Sequence, residues 1–271
     1  MIGPLTVLMM AMMFAPIVKL HPDETAFPTN LESMLTHSQM INENTWQVVQ
    51  PFNSLTLSNV NNLSDSCHPH CCLHSNSSHW RGISPHKLND SAPYYVNYYE
   101  HNDKWYLQYV FLYMYNPGYQ KSIHHLQAIF GNHEADAEHI TIEFKESLIT
   151  RVYFAAHGVH DGVWKNRDEI HFHDSHPIVY SALGSHASYP SSGTWFRCWF
   201  LTNDVCNGTG YSWKPKRLVL VDDQEWTKYT GNLGANIYTR ECHVKSFVYQ
   251  RWWGHETNHT TNMWDRVLKC E

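Results

Sequence analysis

The sequence predicts an all-β protein, an antiparallel β-sandwich with long loops behind an irregular N-terminal extension. Short apolar and aromatic runs are separated by polar connections rich in Gly, Pro, Asn and Asp; several runs alternate with the period of two that a strand imposes; helical periodicity is scarce. With 271 residues, 42% hydrophobic and 14% aromatic, the chain is long enough to bury a substantial core.

Pro4 to Val18 form an apolar, Met-rich run followed by His21-Pro22-Asp23. It reads as a secretory signal h-region, without the usual positive n-region, so residues 1–20 are expected to be a signal peptide. The run is too short for a membrane span, and no later segment has the length and apolarity of one. Residues 21–85 are expected to be an irregular extension tied by disulfides. Its sequence from His21 to Trp80 is rich in Asn, Ser, Thr and His and contains no Lys or Arg.

The β-sandwich is expected over residues 86–271. Tyr94 to Tyr99 and Trp105 to Tyr115 flank His101-Asn102-Asp103, which predicts a hairpin. Asn116-Pro117-Gly118 ends its second strand. Residues His124 to Phe130 read as a short turn of helix, and Arg151 to Ala156, Pro177 to Leu183, Arg217 to Val221 and His243 to Tyr249 as further strands. Trp226, Tyr229, Gly231, Trp252, Trp253 and Trp264 make an aromatic C-terminal region suited to core and rim packing.

Cys67, Cys71, Cys72, Cys198, Cys206, Cys242 and Cys270, an odd set, leave one thiol over. Cys198 and Cys206 are spaced to close a local loop. His68-Pro-His-Cys-Cys-Leu-His74 mimics a zinc cluster, but adjacent cysteines in a secreted chain read as disulfide partners of distant residues. Together with sequons at Asn62, Asn76, Asn89, Asn207 and Asn258 they point to a glycoprotein of the secretory lumen or the cell exterior. The net charge of −6, with only 19 Lys and Arg, excludes a nucleic-acid surface. The 21 histidines would reverse that charge if a third were protonated, a composition suited to sensing an acidic compartment.

Candidate chemistry concentrates in Gly131 to Phe144. Ile140, Ile142 and Phe144 share one parity, and Asp136 and Glu138 share it with them, which puts both acids on the inward face of a half-buried strand. Carboxylates two residues apart stand about 7 Å from one another at the backbone. Buried without a metal, a positive partner or a proton, each would cost several kcal/mol. His133 lies in the loop before them, and Arg151 is the alternative partner. His171, His173 and His176 form a rival cluster without a nearby acid at a diagnostic spacing.

Set in order, the chain from about residue 93 to 193 resembles the vacuolar protein sorting-associated protein 62 family. The resemblance is carried by Tyr115-Asn116-Pro117-Gly118; by Gly131-Asn-His133-Glu-Ala-Asp136-Ala-Glu138-His139; by Val152-Tyr-Phe-Ala-Ala-His157-Gly158; and by Gly184-Ser-His186-Ala-Ser-Tyr-Pro190. The acidic block is also similar to that of necrosis-inducing proteins, secreted cytolysins of β-sandwich fold that bind a divalent cation near a lipid-recognition surface. Ala135 stands where the first family has Gly and the second His, and Ala137 replaces Trp.

These resemblances imply that His133, Asp136, Glu138, His157 and His186 converge on a divalent cation. Carboxylates favour Mg²⁺ or Ca²⁺, and added imidazoles shift the preference toward Zn²⁺. The expected function is cation-assisted recognition of a surface glycan or lipid head group, in the manner of a toxin. The alternative is a metal-dependent hydrolase with Glu138 or His186 as general base. A third reading gives the acids a structural role. No Gly-x-Ser-x-Gly elbow, phosphate loop or His-Glu-x-x-His helix is present, and Ser185 and His186, being adjacent, point apart on a strand.

Overall fold

A computed structural model describes residues 3–123, 126–157, 162–196, 203–221, 224–236 and 241–245. Helix α1 (Pro4–Phe14) starts on a proline, whose missing N–H would have had no helical partner, and leads into β1 (Ile17–Lys19). Helix α2 (Leu31–Thr36) is capped by the Asn30 side chain, which accepts from the Ser33 N–H. Strands β2 (Ser38–Asn42), β3 (Val48–Gln50) and β4 (Cys71–Ser75) follow. The long hairpin is β5 (Tyr94–His101) and β6 (Lys104–Asn116), turning through Asn102 in a left-handed conformation. Strands β7 (Tyr119–Ile123) and β8 (Leu126–Phe130) pair with each other. The expected helical turn is thus replaced by a strand, because pairing with β7 outweighs a weak local period; residues 124 and 125 lie outside the described residues.

Next come β9 (His133–Lys145), β10 (Leu148–Phe154), β11 (Val163–Asn166), β12 (Phe172–His173), β13 (His176–Ser181), β14 (Ser188–Tyr189), β15 (Gly193–Phe196) and β16 (Asn203–Cys206). The last are β17 (Ser212–Trp213), β18 (Leu218–Leu220), β19 (Asn232–Asn236) and β20 (Glu241–Lys245).

The central sheet has the order β11-β10-β9-β6-β5-β18 and is antiparallel apart from β18, which runs parallel to β5. It is covered on both faces. On one, Tyr109, Phe111, Ile140 and Phe144 pack with Val7 and Ala11 of α1, Val18 of β1, Val179 of β13 and Trp213 of β17. On the other, Val110, Leu112 and Met114 pack with α2 and the sheet β20-β19-β4-β2-β3 through Leu31, Met34, Met40 and Leu73. The result is an all-β sandwich of mixed sheets. Burial on both faces explains why β6 reads as a run from Trp105 to Tyr115 that is apolar or aromatic at every position but Gln108.

Double coverage also changes β9. Its second face, expected in solvent, is buried at His139, Thr141 and Glu143. Thr141 accepts from Gln108 (3.4 Å), while Glu143 accepts from Tyr106 (3.0 Å), Lys104 (3.0 Å) and Arg151 (2.7 Å). Thr141 and Glu143 tolerate this burial because they are paired within the sheet.

The N-terminal segments take a larger part than their composition suggests. Strand β1 lies between β13, to which it is parallel, and β17. The Tyr94 hydroxyl donates to Pro16 O (3.2 Å) and that of Tyr109 to Ala11 O (2.8 Å). No helix among the described residues is long and apolar enough to cross a membrane. Residues 31–75 supply α2, three strands and much of the second core, where an irregular extension was expected. Strands of three to five residues carry too few alternations to show a period, and β4 finds its partner β19 far along the chain.

Two disulfides, Cys67–Cys71 and Cys72–Cys242, close the second core. Cys72 has the distant partner that adjacent cysteines suggest, Cys71 a local one. Oxidation removes the thiolates a zinc cluster at His68–His74 would need. Cys206 is a buried thiol, and Cys198 and Cys270 lie outside the described residues. Asn62, Asn76 and Asn89 are exposed and Asn207 is half-buried; Asn258, Trp252, Trp253 and Trp264 lie outside the described residues.

Candidate functional site

Strand β9 runs antiparallel to β6 with Asp136 opposite Tyr113 and Glu138 opposite Phe111, so both acids share the face of Ile140. Ala135 between them and the loop has φ +53°, and His157 and His186 each have φ +57°. This left-handed conformation costs a side-chain-bearing residue about 1–2 kcal/mol. Glycine adopts it freely, which accounts for Gly at the position of Ala135 in the family pattern. Such strain gathers where surrounding structure fixes a functional geometry.

His186 stacks on Tyr113, with ring centroids 3.8 Å apart. Its Nδ1 donates to Asp136 Oδ2 (2.9 Å) and its Nε2 to Ala26 O (3.1 Å), with Glu24 Oε1 at 3.7 Å. With both nitrogens donating, the ring is an imidazolium. Burial works against that charge, but the neighbouring Glu24 and Asp136 outweigh it and raise the pKa to about 9. Burial likewise pushes the Glu24 carboxyl up, yet His186 and the N–H groups of Ala26 and Gly184 hold it at about 2. Gly184 is required here, since its φ is +73° and a Cβ would approach Gly118 O to 2.5 Å.

A second network surrounds Asp204 of β16. Its carboxylate accepts from Tyr119 (2.7 Å), Ser185 (2.7 Å) and Tyr189 (2.6 Å), and pairs with His157 Nε2 at 2.5 Å. Burial would raise this carboxyl; His157, Tyr189 and Tyr119 instead hold it well below the usual carboxylate range. Asn116 links the networks, donating to Asp136 Oδ2 (3.0 Å) and Ser185 O (3.4 Å).

The expected donors are therefore divided. Asp136 meets His186, His157 meets Asp204, and His133 turns its Nδ1 to Ala135 O (2.7 Å). Asp136 Oδ1 accepts from the Ala137 N–H (3.1 Å), so both its oxygens are engaged. Among the described residues no group of three or more His, Cys, Asp and Glu is arranged to hold a metal ion. The donor set does not fit a cation at Asp136, where the imidazolium of His186 already supplies the positive charge. Arg151 serves Glu143 instead and lies over the Trp164 ring at 4.1 Å. In the rival cluster, His176 binds Ala15 O (2.8 Å) and Lys214 (2.8 Å), while His173 faces Asp174 (3.4 Å).

Glu24 also lines a cleft of about 440 Å³, with Thr25, Ala26, Trp80, Arg81, Tyr115 and Pro117. Trp80 and Tyr115 stack with centroids 4.1 Å apart and planes 5° from parallel. Both rings are anchored: Trp80 Nε1 donates to Ser75 Oγ (2.8 Å), and the Tyr115 hydroxyl accepts from Asn132 Nδ2 (2.9 Å). Ser75 in turn donates its N–H to Glu134 of β9 (3.2 Å). Sequence reasoning missed Glu24, Asp204, Trp80 and Arg81. Asn116, Tyr115 and Tyr189 fall inside the family-like blocks, which was their signal; Glu24, Trp80 and Arg81 sit in irregular segments with none.

A family model described as vacuolar protein sorting-associated protein 62 matches residues 110–254, starting within β6 and running beyond the stretch that carries the resemblance in sequence. No curated protein matches significantly. Similar solved structures are of necrosis-inducing proteins. NLPPya in complex with glucosamine is 12% identical, with 80% of this chain and 74% of that chain covered and a TM-score of 0.39. The Necrosis and Ethylene inducing Protein 2 from the causal agent of cocoa's Witches Broom disease is 13% identical, with 84% and 78% covered and a TM-score of 0.39. Likeness this slight transfers no ligand.

Proposed function

We propose that this chain, which belongs to the vacuolar protein sorting-associated protein 62 family, is a recognition module that holds a sugar of a surface glycan or glycolipid head group in the Trp80–Tyr115 cleft. The observation that carries this reading is the anchored aromatic wall. Sugar rings present patches of C–H that pack on indole and phenol faces, and a wall fixed before binding spares the cost of ordering it. A cleft of about 440 Å³ is of the size that small ligands occupy. Disulfides and exposed sequons support a site of action in the secretory lumen or outside the cell.

Binding fits the site better than hydrolysis. His186 has no lone pair with which to act as a base, and Glu24 is held ionised at about 2, so it has no proton to give a leaving group at neutral pH. The buried acids then serve as the frame of the cleft, with Glu24 common to both.

The test is an oligosaccharide array probed with the wild-type protein and Trp80→Ala, each first shown to unfold cooperatively in urea. Loss of retained glycans in the folded variant is expected, at a cost of about 2 kcal/mol or more. Unchanged retention by Trp80→Ala would overturn the assignment of the cleft.

A further inference from the structure

We infer that the cleft selects sugars bearing a carboxylate, with Arg81 as the residue that reads the acid. This rests on the sugar-binding reading above. Two charged residues line the cleft, and only one is available. Glu24 accepts from the N–H groups of Thr25 (2.8 Å), Ala26 (2.9 Å) and Gly184 (2.8 Å) and faces His186, so its oxygens are taken. Arg81 is exposed and has no ion pair or side-chain hydrogen bond among the described residues.

The other arginines of the described residues differ. Arg151 pairs with Glu143 (2.7 Å), Arg217 with Glu32 (3.7 Å), and Arg167 lies over the Phe172 ring (4.7 Å). Among the described arginines Arg81 alone has neither an ion pair nor an aromatic ring beneath its guanidinium, and its planar fork of N–H donors matches a carboxylate through two parallel hydrogen bonds.

Its backbone is held in place. Arg81 O accepts from the Phe27 N–H (2.9 Å), and Pro28 O from that of Ile83 (3.1 Å). Between them Gly82 has φ +72°, and a Cβ there would come within 2.0 Å of Phe27 O. Only glycine permits this approach, which brings Arg81 to the cleft beside the Trp80 wall. A neutral sugar would use the wall alone. A uronic or sialic acid would use the wall for its ring and Arg81 for its carboxylate. On a chain whose net charge is −6, the local cation is what makes an acidic ligand acceptable.

Calorimetric titration of oligosaccharides alike except for a terminal glucose, glucuronic acid or 6-sulfated glucose tests this. Wild type is expected to bind the glucuronic acid probe about tenfold more tightly than the glucose probe, the effect of one charge-assisted pair. Arg81→Met should abolish that preference, so that the glucose and glucuronic acid probes bind alike, and Arg81→Lys should restore part of it. Equal affinity of wild type for the two probes, a preference that survives in Arg81→Met, or tighter binding of the sulfated probe would overturn the inference while leaving sugar binding in place. Binding of none of the probes, with no glycan retained on the array, would overturn both readings.

Discussion

Two buried acid–imidazole networks lie side by side, joined through Asn116, and they solve the same electrostatic problem differently. At Asp136 one imidazolium sits between two carboxylates, with no exposure of its side chain, and stacks on Tyr113. At Asp204 one carboxylate gathers three hydroxyls and His157, whose side chain keeps 13% exposure. The first ties the segment around Glu24 to the central sheet, so its charge is structural and its removal leaves two acids uncompensated. The second spreads one charge over several donors, and losing the charge leaves the hydroxyls able to rearrange. Similar residues thus carry different risks, set by how many partners share the charge.

The largest expected effect follows from that difference. His186→Ala should destabilise the fold by about 3–5 kcal/mol, read as a lower urea midpoint, because Glu24 and Asp136 remain buried without the imidazolium between them. The pH dependence has two arms. The raised pKa of His186 contributes stability that is present below its ordinary value of 6.5 and lost as pH rises through about 9. The depressed pKa of Glu24 contributes stability present above 4.5 and lost as pH falls toward about 2. Urea midpoints from pH 3 to 10 should fall at both ends in wild type. A variant His186→Ala that kept the same alkaline fall would show that another group causes it.

An intermediate effect is expected at the second network. Asp204→Asn keeps the shape but removes the charge that three hydroxyls and His157 address, at a cost of about 2 kcal/mol. A loss as large as that of His186→Ala would erase the contrast between the networks. The smallest effect is expected at Ala135. Relief of its left-handed strain, offset by glycine's extra freedom in the unfolded chain, should make Ala135→Gly more stable by about 0.5 kcal/mol. Ala137→Gly, in the same strand without that strain, should lose about 0.5–1 kcal/mol. Destabilisation by both would mean that the methyl of Ala135 matters more than its backbone.

Parts of this were legible from local pattern. The hairpin of β5 and β6 announces itself through aromatic runs around His101-Asn102-Asp103, and the facing of Asp136 and Glu138 follows from alternation with Ile140. The need of those acids for a positive partner also follows from burial alone. The identity of the partner does not. His186 lies 50 residues from Asp136, and Glu24 lies 160 residues from Gly184, whose N–H it accepts. Such pairings are set by which strands the sheet makes neighbours.

The same division holds for the N-terminal run. Its apolarity is plain in Pro4 to Val18, and that composition suits an h-region and a buried helix equally. The tertiary structure gives it α1 against the central sheet and β1 between β13 and β17. Sequence by itself determined the β class, the turn at Asn102, the inward acids and the family, because these depend on neighbours along the chain. Only the tertiary structure decided that His186 lies between Asp136 and Glu24 and that Trp80, Tyr115 and Arg81 share one cleft, because contacts across sheets leave no period in the residues that make them.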